Sequence, residues 1–418
     1  MITATSFRLA TLTLELIERR KLSLERAFIE AVRRVGHSEK GALRIARLAL
    51  MKFAEADYLL ELSGLSGTPL RRKCAFRVAY SLVAFGEASR DEIGIVKGGL
   101  LSNRLFSLLS AGNLRRVLEE ERKLKPTERL SVSYSFPLWL VERLVARIGF
   151  SDAERLIKAC SRRVLWLRIN TLKVSRSEVL RKLRREFNVR EDKDFPELVE
   201  LVGLEELPPS ILKMIRRGHI VVQDKGSVAV VHALEPGNGM LVLDAAAAPG
   251  VKTSLIQQLA ENSAEVVAVD ISRSRLSEMA RLMARLGVKR VHLVLGDSRT
   301  MAYSRCYDRV LLDAPCTNTG AIAQDPALRL SLWTPPPIDR FRKLQLELFG
   351  NVVKHLKEGG FLVYSTCSLL EEEGESIMSS LGVEDRYRLA PEGVIGNPGY
   401  SNFSVSSRVR RLYPHIHR

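Results

Sequence analysis

The sequence predicts a doubly wound α/β domain that follows an all-helical domain and a small α+β domain. After Arg217, short apolar strands alternate with helices, as in GMLVLDAAA, SLIQQLA, EVVAVDI and LSEMARLMARLG. Such alternation is typical of a parallel sheet covered by helices on both faces. From Ser6 to about Leu118, in contrast, apolar residues recur every three or four positions, which predicts helices. A length of 418 residues fits two or three domains.

Two boundaries, and so three domains, follow from these patterns. The helical domain covers residues 1–125 and ends in the charged stretch EEERKLKPTERL. Residues 126–215 form the small α+β domain, in which WLVERLVARIG and SEVLRKLRREF are predicted helices and LWLRINTL and ELVELVG are predicted strands. The α/β domain covers residues 216–418, and its last strand is predicted in GGFLVYSTCS.

The charge of the chain is concentrated in its first half. Residues 1–200 contain 39 Lys and Arg against 25 Asp and Glu, a net of +14, and the remaining residues contribute only +3 of the total of +17. A basic front half predicts a surface that binds a polyanion, although charge alone does not separate RNA from DNA. A basic surface kept for solubility is the alternative.

The composition excludes several other classes. There is no apolar run of eighteen residues and no secretory leader pattern at the start, so we expect a cytoplasmic protein without membrane spans. Five cysteines at irregular spacing predict neither a disulfide framework nor a metal site. We expect free thiols.

Each strand of the predicted α/β domain ends in polar or otherwise special residues. These are Asp244 through Lys252, Asp270, Asp297, Asp313 through Gly320, and Ser365 through Ser368. One aspartate alone is more often a turn former or a helix cap. Because ligands bind beyond the carboxyl ends of parallel strands, the whole set predicts one site.

The first strand end has the composition of a nucleoside-binding loop. In LDAAAAPGVKT, small side chains allow the backbone to approach a ligand where a strand turns into a helix. Asp270 follows Gly250 by twenty residues, the spacing at which an acidic side chain meets ribose hydroxyls. The full G-x-G-x-x-G and Walker patterns are missing, which disfavours nicotinamide cofactors and nucleoside triphosphates.

Two short motifs each place a cysteine directly after a buried strand. They are DAPCTNTG, with Cys316, and YSTCS, with Cys367. A single strand-end cysteine is more often a small buried apolar residue. Two cysteines in one predicted cleft, one of them near an aspartate, indicate a nucleophilic thiol.

These motifs resemble the Nol/Nop/Sun group of RNA (cytosine-5)-methyltransferases. The resemblance runs in order through LDAAAAPGVKT, VVAVDISRSRL, LGDSR, LLDAPCTNTG and VYSTCSLLEEEGE. It implies a Rossmann-like S-adenosylmethionine methyltransferase domain. By the same resemblance, the helical domain is similar to the NusB-like domain of ribosomal members, and the α+β domain is similar to the family's RRM-like domain.

The resemblance also implies roles for three residues in catalysis. Cys367 would add to carbon 6 of cytosine and so activate carbon 5 toward the methyl group of the cofactor. Asp313 would hydrogen-bond the ring as charge develops. Cys316 would act as the base that helps to release the hydrogen of carbon 5.

The cofactor-binding residues are implied in the same way. The methionine part of S-adenosylmethionine would lie against Ala246, Ala247, Ala248, Pro249, Gly250, Val251 and Lys252. Asp270 would bind the ribose, Asp297 the adenine edge, and Asp313 would lie near both cofactor and base. Arg275 is left outside the site, since a helix arginine that faces solvent is the more common case.

The expected partner is RNA, with ribosomal RNA ahead of transfer RNA, and we expect a monomer without metal. A transfer-RNA methyltransferase and a catalytically silent RNA-binding assembly factor are the alternatives, whereas a small-molecule methyltransferase conflicts with the basic first half. Two departures from the family pattern stand out. Val251 replaces a usual glycine, and the end RLYPHIHR stops at Arg418 before the family's usual last strand, which is then either absent or replaced by FSVSSRV.

Overall fold

The computed structural model describes residues 2–204, 206–382 and 393–417. The chain divides into two compact units. Unit 1 comprises Met1–Arg162 and Thr319–Pro336, and unit 2 comprises Arg163–Asn318 and Pro337–Arg418. This division is coarser than the three predicted domains, whose boundaries after residues 125 and 215 stay a prediction.

The α-helices and strands of the described residues are numbered in chain order. The helices are α1 Ala4–Arg20, α2 Leu24–Val35, α3 Ala42–Leu62, α4 Leu70–Ala84, α5 Arg90–Val96, α6 Asn103–Ser107, α7 Ala111–Glu121, α8 Pro126–Tyr134, α9 Leu138–Cys160, α10 Arg176–Glu186, α11 Pro209–Arg217, α12 Lys225–Leu234, α13 Val251–Leu259, α14 Arg273–Leu286, α15 Ala327–Ser331, α16 Ile338–Val352 and α17 Glu375–Ser380. The strands are β1 Leu165–Ile169, β2 Val189–Glu191, β3 Leu198–Leu201, β4 Ile220–Val222, β5 Leu241–Asp244, β6 Glu265–Asp270, β7 Val291–Leu295, β8 Tyr307–Asp313, β9 Leu356–Ser365, β10 Asn397–Pro398 and β11 Arg410–Arg411.

The described elements of unit 1 are all helices, and they share one large apolar core. The first helix begins with a capping box, in which the Thr3 and Ser6 side chains bond each other's backbone N–H groups. Its apolar face packs with α2, α3 and α4, as the three-and-four spacing of apolar residues predicts. Helix α15 belongs to the same unit, and its buried Arg329 donates to the Tyr134 and Cys160 carbonyl oxygens. The segment from 319 to 336 is thus held by the helical unit.

Unit 2 contains two sheets. A four-stranded antiparallel sheet has the order β2-β3-β1-β4 and carries the helices α10 and α11. The buried Arg168 of β1 donates to Gln223, at 2.7 Å, and to Gln258 and Ser254 of α13. Since Gln258 and Ser254 lie on α13, the helix after β5, Arg168 joins the four-stranded sheet to α13.

The second sheet of unit 2 is parallel and has the order β7-β6-β5-β8-β9. Each of the strands β5, β6, β7, β8 and β9 was predicted from its apolar run and its polar end, and the prediction is confirmed. The strand order reverses at β5, which pairs with β6 on one side and β8 on the other. This reversal makes the carboxyl end of β5 the position where a doubly wound sheet binds its ligand.

Of the two alternatives for the last strand, its replacement by FSVSSRV is wrong. The segment FSVSSRV does not add a strand to the parallel sheet, because Ser404–Arg408 forms a 3-10 helix. The short strands β10 and β11 pair with each other in a separate two-stranded ladder. Arg418 lies outside the described residues. In the part of the chain that the structure describes, no helix is both long and apolar enough to cross a membrane.

Candidate active site

The loop after β5 forms the floor of the site. The small side chains from Ala245 to Ala248 lead into Gly250, which has a φ of 96° and precedes the first residue of α13. A Cβ atom at Gly250 would lie 2.7 Å from Cγ of Met279, so only glycine fits both the conformation and the space. Val251, the departure from the family pattern, is the first helical residue and needs no left-handed backbone.

Asp270 supports this loop from the end of β6. Its buried carboxylate accepts hydrogen bonds from the backbone N–H groups of Ala248, at 3.2 Å, and Ser272, at 2.9 Å. Arg275 forms an ion pair with the same carboxylate at 3.2 Å and donates to the Ala248 carbonyl oxygen. Arg275 therefore contacts the predicted cofactor loop, although the sequence left it outside the site. Its spacing of five residues after Asp270 was the only available signal.

Asp297 lies after β7, and its carboxylate group is bound by Arg299, two residues further along the chain. Its carboxylate accepts from Arg299, with 2.6 Å between Oδ2 and Nη2. The hydrogen bonds from this guanidinium lower the pKa of Asp297, even though partial burial acts in the opposite direction. The carboxylate is therefore ionised at neutral pH.

Asp313 ends β8 and lies between two partners. Oδ2 accepts from Lys252 Nζ at 2.7 Å, and Oδ1 accepts from the Ser365 hydroxyl at 2.8 Å. Burial alone would lower the Lys252 pKa, but the charge and hydrogen bond of Asp313 outweigh it and the pKa is raised. The structure thus joins the loop after β5 with the ends of β8 and β9. The sequence marked Asp313 and Lys252 but gave no reason to pair them.

The two motif cysteines are in contact. The Sγ atoms of Cys316 and Cys367 are 3.2 Å apart, with Cys316 buried and Cys367 exposed. The hydrogen bond with Cys367, followed by burial, raises the pKa of Cys316 well above its ordinary value. The Cys367 thiol also donates to Oδ1 of Asn318 at 2.9 Å. Cys74, Cys160 and Cys306 are not joined in a disulfide either.

Comparisons with known proteins agree with this geometry. The family model described as 16S rRNA methyltransferase RsmB/F matches residues 231–418, and that of the RsmF/B-like ferredoxin-like domain matches residues 136–203. A probable ribosomal RNA small subunit methyltransferase B of Coxiella burnetii is 33% identical over 294 residues, 68% of this chain and 67% of that protein. The chain spans 62–67% of the length of the first two curated relatives that it matches.

Two solved structures are similar over longer ranges. The crystal structure of PH0851 has a TM-score of 0.80 and 26% identity and covers 100% of this chain and 97% of its own. NSun6 from Pyrococcus horikoshii, solved with the S-adenosylmethionine analogue SFG, has a TM-score of 0.61 and 27% identity and covers 68% of this chain and 95% of its own.

The fold and the strand-end site define a methyltransferase that uses S-adenosylmethionine. Within that class, the chain belongs to the RsmB/F methyltransferases of the Nol/Nop/Sun family. Its small sheet belongs to a ferredoxin-like domain. The likeness of the helical unit to NusB stays a prediction.

The residues present are suited to this cofactor. Acidic groups at the ends of β6 and β8 suit a positively charged sulfonium, and the small-residue loop allows close approach of the ligand. Ile271, directly after Asp270, is 66% exposed and offers an apolar surface at the predicted ribose position. Nothing in the sequence distinguished Ile271 from an ordinary apolar residue.

Proposed function

We propose that this protein methylates carbon 5 of a cytosine in RNA through a covalent bond to Cys367. The observation that carries the proposal is the contact of two thiols, 3.2 Å apart, beside the Asp313 carboxylate group at the ends of neighbouring strands. One thiol suffices to bind a base covalently. A second thiol at this distance is suited to a later proton transfer at the same base.

Cys367 is the proposed nucleophile because it is the exposed thiol of the pair. Its thiolate adds to carbon 6 of cytosine, and the electrons of the 5,6 double bond make carbon 5 nucleophilic. The Asn318 amide oxygen accepts the thiol hydrogen at 2.9 Å and orients the sulfur before reaction.

S-adenosylmethionine supplies an electrophilic methyl group on a sulfonium that leaves as a neutral thioether. We assign the methionine part to the loop from Ala246 to Lys252, the ribose to Asp270, and the adenine edge to Asp297. Ile271 adds an apolar contact for the adenine ring. Arg275 supports the cofactor indirectly, because it fixes Asp270 and the Ala248 carbonyl group.

Asp313 is proposed to bind the target base. An ionised carboxylate only accepts hydrogen bonds, so the exocyclic amino group of cytosine is the matching donor. Lys252 and Ser365 hold the two carboxylate oxygens from the protein side and fix their direction. A uracil, with a carbonyl group in that position, would be disfavoured.

Cys316 is proposed as the base that removes the hydrogen of carbon 5. Its raised pKa would at first keep it protonated, but the main cause is the hydrogen bond with Cys367. When Cys367 is bound to carbon 6 as a thioether, that cause no longer acts, and the Cys316 proton passes to water more easily, although burial still opposes its release. The thiolate then takes the hydrogen, the bond between sulfur and carbon 6 breaks, and the double bond re-forms.

Ribosomal RNA is the proposed substrate class. The matched curated relatives are named ribosomal RNA small subunit methyltransferases. The net charge of +14 in residues 1–200 fits a large polyanion. A target base has to leave its stack to reach the two thiols, so an unpaired or distorted RNA element is expected.

The test is transfer of a labelled methyl group to separated ribosomal and transfer RNA, followed by nucleoside analysis. We expect 5-methylcytidine in ribosomal RNA, no label with Cys367→Ala, and a covalent RNA adduct that accumulates with Cys316→Ala. Cys306→Ala is the matched control, because Cys306 is an exposed thiol outside the pair. Label in transfer RNA alone would move the substrate class, and full activity of Cys367→Ala would refute the mechanism.

A further inference from the structure

A fully buried carboxylate contacts both cysteine loops at once. Glu373 is 0% exposed and lies in the 3-10 turn Glu371–Glu373, between β9 and α17. Its partners include Thr317, which follows Cys316, and Ser368, which follows Cys367. The turn carries no residue assigned above to cofactor or base.

The hydrogen bonds divide evenly between the two carboxylate oxygens. Oε1 accepts from the Thr317 backbone N–H at 2.9 Å and from Gln345 Nε2 at 3.1 Å. Oε2 accepts from the Thr317 hydroxyl and from the Ser368 hydroxyl, both at 2.5 Å. Each loop is therefore fixed within one residue of its cysteine.

The backbone of Glu373 adds two further contacts. Its carbonyl oxygen accepts from the Tyr364 hydroxyl at 2.9 Å and from the Thr366 hydroxyl at 3.3 Å. Thr366 directly precedes Cys367, so the second cysteine is held from both sides. On the side of Cys316, Glu373 contacts Thr317, and its partner Gln345 also donates to the carbonyl oxygen of Pro315, the residue before Cys316, at 2.9 Å.

Only an ionised carboxylate satisfies this arrangement in full. Four donors converge on two oxygens, and a carboxylate offers about four lone-pair positions and no hydrogen. Glutamine would place an NH₂ group where two hydroxyl groups now donate. A buried charge is unfavourable unless it is hydrogen-bonded throughout, so the position is built around the ionised form.

We propose that Glu373 is a positioning residue that sets the separation of the Cys316 and Cys367 thiols. Its effect on methyl transfer rests on the proposed function, but its effect on the thiol pair does not. The effect on methyl transfer can fail while the effect on the thiol pair holds, so each effect is measured in its own experiment.

The direct test measures how readily the two thiols form a disulfide in a glutathione buffer. Both thiols lose their protons, the Cys316–Cys367 bond forms, and two electrons reduce glutathione disulfide to two glutathione molecules. The equilibrium gives the effective concentration of one thiol at the other, read by peptide mass mapping. With Glu373→Gln we expect it to fall by about tenfold or more, because loosened reactive groups lose part of their proximity advantage.

Glu375→Gln is the matched control. Glu375 is also fully buried, two residues away, but it pairs with Arg411 and accepts from the Tyr400 N–H at 2.9 Å. A role in folding alone predicts that both variants lower the melting temperature and leave thiol coupling unchanged. Ser368→Ala, which keeps the charge and removes one donor, is the second variant if Glu373→Gln does not fold.

Methyl transfer is the second readout. We expect Glu373→Gln to lower kcat by about 100-fold, the order of the loss for a misplacement near 1 Å, with little change in KM for S-adenosylmethionine. Unchanged thiol coupling in folded Glu373→Gln, or in Ser368→Ala where the former does not fold, would overturn the inference. If the wild-type protein methylates no RNA but Glu373→Gln still reduces thiol coupling, the proposed function is refuted and the positioning role stands.

Discussion

Asp244, the last residue of β5, is expected to make the stability of unit 2 depend on pH. Its side chain is 1% exposed and accepts from the Thr253 hydroxyl at 2.6 Å. Burial raises its pKa from 3.8 to about 7, against the opposing hydrogen bond from Thr253 and with added repulsion from Asp313. The replacement Asp244→Asn keeps the shape and removes the titration.

The sign and size of the effect follow from this pKa. A carboxyl group with a raised folded-state pKa favours folding below its ordinary pKa, and this contribution is lost as pH rises toward the folded value. Each pKa unit is worth about 1.4 kcal/mol, so a rise from 3.8 to about 7 amounts to about 4 kcal/mol. Most of this change falls above about pH 5, where roughly 2.5 kcal/mol is lost by about pH 8.

The assay is urea unfolding of wild type and Asp244→Asn without added cofactor, at several pH values from about 5 to about 8. We expect the free energy of unfolding of the wild type to fall relative to the variant over this range. Asp308→Asn is the control, because the Lys357 hydrogen bond lowers the pKa of Asp308 and its contribution is lost only at acid pH. Parallel curves for wild type and Asp244→Asn would refute the reasoning.

Three further changes test other parts of the site. Gly250→Ala would force a left-handed alanine into occupied space, so we expect a loss of at least about 1–2 kcal/mol in chemical unfolding and weaker cofactor binding by calorimetry. Lys252→Gln removes the ion pair that fixes the Asp313 carboxylate group, and we expect the methyl-transfer rate to fall by about tenfold or more. Arg411→Met leaves Glu375 buried without its ion partner, and we expect a loss of about 3–5 kcal/mol in urea unfolding with the kcat of the remaining folded protein retained.

The sequence was sufficient for the parts of the structure that depend on local pattern. The strands of the large sheet were predicted because each is an apolar run with a polar end, and parallel strands bring such ends to one edge. The contact of Cys316 with Cys367 could be predicted for the same reason. The 3-10 helix Ser404–Arg408 was missed, since a short segment with alternating apolar residues fits a strand equally well.

Residues that act through tertiary contacts carried no local signal. Arg275 fits the pattern of a solvent-facing helix arginine, yet it contacts Asp270 and the Ala248 carbonyl group. Glu373 lies in a run of three glutamates that would usually be exposed, and only the structure shows it to be fully buried. The membership of residues 319–336 in the helical unit likewise depends on contacts far apart in sequence, such as the Arg329 bond to the Cys160 carbonyl oxygen.

The different burial of the two thiols is consistent with their proposed division of roles. An exposed thiol at Cys367 can reach an incoming base. A buried thiol at Cys316 stays protonated while its partner is free, so it does not compete as a nucleophile. In the proposed mechanism, the adduct removes the hydrogen bond that contributes most to the raised Cys316 pKa, whereas burial still raises it. The separation that Glu373 is proposed to set is thus the distance over which the Cys367 thiol affects the protonation of Cys316.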